Sequence, residues 1–149
     1  MTLSISTVTN SIAALSVSGV TIKDVDEIPS RVDVSDCPIL YPEPLNFVTN
    51  IVVTPMAFGH EGSGPFDVEY DLTYAFLQTE VGAGGELLDH YKTMVDNVCL
   101  IIDRIIISDA VTGAIELSMN GSANFVAIPD PAGNLFHGCH LVFHVKEFE

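Results

Sequence analysis

Basic residues are scarce in this sequence. Five Lys and Arg stand against twenty Asp and Glu, for a formal net charge of −15. Binding of nucleic acid through its phosphates needs clustered cations, so that class of function is excluded, and so is attachment to an anionic membrane surface. Long apolar runs are missing too: none approaches the ~18 residues that a membrane-spanning helix requires. The N-terminal stretch MTLSISTVTNSIAALSV has no basic region, which argues against a secretory signal. Cysteine is sparse and odd in number. Cys37, Cys99 and Cys139 have no metal-like spacing, and each sits in an apolar run. They read as reduced core residues of a cytoplasmic product.

What is present is hydrophobic pattern. Hydrophobic residues make up 48% of the 149-residue chain, enough for one domain with a real core and too many for disorder. From Gly84 to Ile107, residues Leu87, Leu88, Tyr91, Met94, Val95, Val98, Ile101, Ile102, Ile105 and Ile106 recur at three- and four-residue spacing. That period predicts one long helix, on the order of 36 Å at ~1.5 Å per residue. A shorter helix is expected near the start, capped by Ser6 or Thr7 and running to about Val17, with Ile5, Val8, Ile12 and Leu15 as its stripe.

Strands are expected at Val20–Val25, Leu45–Pro55, Phe66–Gln78, Ile115–Met119, Phe125–Ile128 and His137–Val145, with an interrupted strand around Ile39–Tyr41 among Pro38, Pro42 and Pro44. In the Phe66–Gln78 segment, Phe66, Val68, Tyr70, Leu72, Tyr74 and Phe76 share one parity and Asp67, Glu69 and Asp71 the other. Such alternation sets an apolar face on the core and an acidic face in solvent. The order of elements predicts a single α+β domain over residues 1–149: a mostly antiparallel β-sheet with one long and one short helix packed on one face.

Chemistry is hard to find. Asp67, Glu69 and Asp71 read as a solvated face, a partner or lumen surface, or an enzyme site; same-face neighbours lie about 6.6 Å apart, so a shared cation needs ligands from elsewhere. His140 and His144 would be roughly 13 Å apart on a strand, too far for one ion, and His137 has the other parity. They read as solvated or partner-facing. Ser63, near His60 and Glu61, lacks the strand–turn–helix setting of a hydrolase nucleophile. The glycine clusters carry no Lys for a phosphate loop. No catalytic, metal or cofactor residue is assigned. Met56, Phe58, Gly59, His60, Glu61, Gly62, Ser63 and Gly64 form an apolar-tipped loop that suits a subunit interface.

Three stretches carry a resemblance. ISTVTNSIAAL with GVTIKDVDEIPSRVDVSDCPILYPEP, then FDVEYDLTYAFLQTEVGAGGELLDHYKTMVDNV, then NLFHGCHLVFHVKE with Gly138 ahead of alternating apolar positions, together resemble the tail-terminator and tail-completion proteins of long-tailed, siphophage-type bacteriophages. Relatives often carry an aromatic near the closing strand; Trp is absent here and Phe136 stands in that place. The resemblance implies a non-enzymatic virion protein, assembled in the host cytoplasm. It implies a ring of the protein itself, commonly hexameric, that caps the tail tube and meets the head connector. DNA would pass through the lumen unbound, and an acidic stripe of Asp67, Glu69 and Asp71 would suit that lumen. Rival expectations are a head–tail joining protein, a tube subunit, a small acidic enzyme using Asp71, His60 or His90, and a ligand-binding module with an apolar pocket under the long helix.

Overall fold

Two long strands organise the molecule. In the computed structural model, which describes residues 3–55, 66–82, 86–108, 111–114 and 116–148, β4 (Phe66–Glu80) and β7 (Leu135–Phe148) pair antiparallel along nearly their whole lengths. Each is too long for one partner. β4 takes β3 (Val48–Pro55) beside its first half and β2 (Ile39–Pro42) beside its second. β7 takes β6 (Val126–Pro129) beside its first half and β5 (Glu116–Met119) beside its second. A two-residue β1 (Thr21–Ile22) adds to β2 in parallel.

The expected α+β class is therefore corrected. The fold is mostly β, with 40% of residues in strands, and its sheet is mixed and curled into a half-barrel. The antiparallel pairing of the main strands and the pair of helices, one long and one short, are roughly as the periodicity implies. The sequence order of helices and strands does not reveal curl, which comes from twist accumulated along long strands and from bulges. Register breaks occur between Thr49 and Val52 and between Leu77 and Thr79. At the second, Gly138 lies opposite Leu77, and a Cβ there would run into the Phe76 carbonyl, so only glycine fits.

Both helices cover one face. α1 (Ile5–Ala13) buries Val8, Thr9 and Ile12. It is shorter than expected: Ala14 is its C-cap, and Gly19, at φ 78°, turns the chain so that Val17 bridges Val20. Ser4, not Ser6 or Thr7, is the N-cap, and its backbone N–H donates to Glu147 Oε1 at 2.7 Å. The same carboxylate, 3% exposed, accepts from the Tyr70 hydroxyl. α2 (Leu87–Ile102) starts in a capping box, with the Glu86 N–H donating to Asp89 at 2.9 Å. It ends in a wider turn, Asp103–Ile107, of π geometry. Met94, Val98, Ile101 and Ile105 are buried against Tyr70, Leu72, Phe76, Leu141, Phe143 and Val145. The buried stripe is narrower than the periodicity suggests, since Leu88 and Tyr91 are exposed. No helix among the described residues is long and apolar enough to cross a membrane.

The cysteines split. Cys139 is buried, and burial pushes its thiol up to about 12, as it pushes half-buried Cys37 to about 11. Cys99 is exposed on α2, against the core placement expected of it.

Candidate functional site: the carboxylate face of the sheet

Alternation along β4 and β7 sends a second set of side chains to the face away from the helices. Near the end of β4 and the start of β7 this face is apolar and sealed. Val32, Ile39, Tyr41, Ala75, Leu77, Ile128 and Phe136 form a small second core. The strap from Asp24 to Cys37 closes it, and buried Asp130 clasps the strap by accepting from the Val32 N–H at 3.0 Å. In the other half the same face carries Asp67, Glu69 and Asp71 of β4 beside His144 and Lys146 of β7.

Register decides who meets whom there. Asp71 is opposite His144 and Glu69 is opposite Lys146. His144 bonds directly across to Asp71 (Nδ1, 2.8 Å), and the other ionic contacts run diagonally: His144 to Glu69 (Nε2, 3.1 Å) and Lys146 to Asp67 (3.2 Å). Asp71 is only 2% exposed, so its expected place in solvent is corrected. Its Oδ2 accepts from the side-chain amides of Asn50 and Asn120, each at 2.8 Å. Burial opposes the charge, but hydrogen bonds from Asn50, His144 and Asn120 outweigh it and hold the carboxyl below its ordinary range. The hydrogen bonds that His144 donates to Asp71 and Glu69 raise it against a smaller loss of solvation.

This network holds charge in place. Both ring nitrogens of His144 face carboxylates, and Asp71 receives three donors. Among the described residues no group of three or more His, Cys, Asp or Glu is arranged to hold a metal ion. One buried oxygen, Asp67 Oδ1, lacks a hydrogen bond among the described residues.

Asp67, Glu69 and Asp71 thus share a face, as the alternation predicts, but they are unequal members of it. The expected interface loop, Met56, Phe58, Gly59, His60, Glu61, Gly62, Ser63 and Gly64, lies outside the described residues. Of the histidines expected in solvent or facing a partner, His140 is exposed and bonded to Glu43 at 3.1 Å. His137 is buried on the helix side, its ring stacked on His90 of α2 with centroids 6.1 Å apart. Sequence reasoning missed Asn50 and Asn120. Asn50 is the one non-glycine residue described with positive φ, at 55°, inside the β3 bulge. An Asn within a run of β-branched residues was the available signal, because Asn tolerates the left-handed region.

β3 also carries an uncovered surface. Ile51, Val52 and Val53 are three consecutive apolar residues, each exposed by 40% or more. Leu45 through Pro55 contains no charged residue. In comparison with known proteins, the sequence matches no family model and no curated protein.

Proposed function

We propose that the chain is a structural virion subunit of the tail-terminator kind. Copies assemble head-to-tail into a closed ring, a hexamer in the family it resembles. The ring caps the tail tube and joins it to the head connector, with DNA passing through the lumen and no reaction catalysed. The observation that carries the reading is β3: an apolar, charge-free edge strand in a chain of net charge −15. Edge strands are normally blunted by charge, and an exposed apolar one marks an interaction surface. Two chains of like charge approach most cheaply where neither carries any. The carboxylate face supports the lumen assignment more weakly: Asp67, Glu69 and Asp71 outnumber the Lys146 and His144 that pair with them, so the face keeps a net negative charge that repels phosphates.

Light scattering and electron microscopy of the purified chain, alone and with tail tubes, test this. Discrete rings on tube ends are expected, and Val52→Lys with Val53→Lys should leave a folded monomer that no longer closes. Open polymers without tubes would indicate a tube subunit instead. A monomer indifferent to tubes would overturn the reading.

A further inference from the structure

A cavity of about 610 Å³ opens on the second face between the sealed half and the carboxylate half. Its volume falls within the range of about 300–1,000 Å³ usual for ligand sites. Tyr41 and Thr73 line it, with Glu43 and His140 at one side and Pro44, Leu45, Ile128, Pro129 and Pro131 around the wall. Three prolines fix the backbone of that wall, so the shape does not depend on ordering flexible chain.

Two features are open to an occupant. Tyr41 is 1% exposed, and its hydroxyl, which makes no hydrogen bond among the described residues, is the part that reaches solvent through the cavity. An occupant can accept from it in place of water. Burial, with Glu43 and Asp130 nearby, keeps that phenol protonated and hence a donor. At the rim, Leu45 is 86% exposed, the most exposed large apolar side chain described. A small molecule inside the cavity would leave Leu45 in water; a polypeptide lying across the mouth covers it.

Charge selects the class of partner. Both oxygens of buried Asp130 are engaged, by the Val32 and Asn134 N–H groups. Glu43 is engaged by His140, itself nearly half exposed and displaceable, and by a long 3.5 Å contact from the Leu45 N–H. With the chain at −15, an anion is repelled and a cation is drawn in. We infer that this cavity docks an arginine- or lysine-bearing segment of a partner protein, its cationic head on Glu43, a main-chain carbonyl accepting from Tyr41, and its apolar stem against Pro44, Pro129 and Pro131. Arginine fits best, because its planar fork bonds a carboxylate through two N–H groups. The inference stands apart from ring formation and holds for a monomer as well.

The probe is the peptide acetyl-Leu-Arg-Leu-amide, titrated into the isotope-labelled full chain and followed by backbone amide resonances. Residues Glu43, Thr73 and His140 should shift together. Replacing Arg by citrulline, which keeps shape and loses charge, should weaken binding at least fivefold, and so should Glu43→Gln. Tyr41→Phe removes one hydroxyl and leaves the ring, so the fold is kept; it should weaken binding at least threefold. Equal affinity for the citrulline peptide, or no shift at millimolar peptide with the folded chain, overturns the proposal. So does preferential uptake of a neutral small organic molecule.

Discussion

The two halves of the sheet's second face have the same backbone and opposite chemistry. Where β2 and β6 flank β4 and β7, Tyr41, Leu77, Ile128 and Phe136 pack into one small core with Val32 of the strap. Where β3 and β5 flank the same strands, Asn50, Asn120 and His144 bond to Asp71, which is 2% exposed, while His144 keeps 35% of its side chain in solvent. A period of two tells which side chains share a face. It does not tell whether the face is covered. Coverage comes from chain far away in sequence, here the segment from Asp24 to Cys37 held by Asp130.

If the sealed half is the anchor, emptying it should cost most. Phe136→Ala removes a fully buried ring from the second core and should cost about 4 kcal/mol in denaturant unfolding. Asp71→Ala should come next, at about 3 kcal/mol, because it removes the buried acceptor that the Asn50 and Asn120 amides and the His144 ring share. Should Asp71→Ala prove the costlier change, the polar half would be the true keystone. Asp130→Ala should cost about 2 kcal/mol, and it should speed hydrogen exchange at Val32 and Asn134 before any other part of the sheet. That last signature separates an opened strap from general loosening.

The parity of Asp67, Glu69 and Asp71, the existence of the two central strands and the apolar spine of α2 were legible in the sequence because each is a local repeat; the ends were not, since β7 runs from Leu135 to Phe148 where His137–Val145 was expected. The mostly-β, half-barrel class was not, since curl depends on bulges at Asn50 and beside Leu77 and on how strands stagger. Burial of Asp71 was not legible either. It requires Asn50, Asn120 and His144, drawn from three separate strand regions, to converge on one carboxylate. His137 was misplaced for a related reason: its parity sends it to the helix side, and only the packing of His90 shows that side to be closed there. The narrow buried stripe on α2 shows the same limit. Leu88 and Tyr91 keep helical spacing but are exposed.

The gentlest probe of the comparison is pH, which acts on the polar half alone. His144 is raised above 6.5 by Asp71 and Glu69. Its contribution is complete below that value and fades as pH climbs through the folded-state pKa. Asp71 is lowered beneath 3.8, so its share is present above that value and fades only as pH falls through the folded-state pKa. The pair therefore adds most stability between the two reference values, and the alkaline loss belongs to His144. Since the imidazole is 35% exposed, solvent screening holds the effect to about 1 kcal/mol or less. Thermal unfolding of the protein and of His144→Gln should differ most at about pH 6 and converge towards about pH 9. Phe136→Ala, compared in the same way, should show an offset that does not change with pH, because no titrating partner is lost with that ring. If its offset followed pH as the His144 variant does, the two halves would be one electrostatic unit, and the division between a packed half and a charged half would fail.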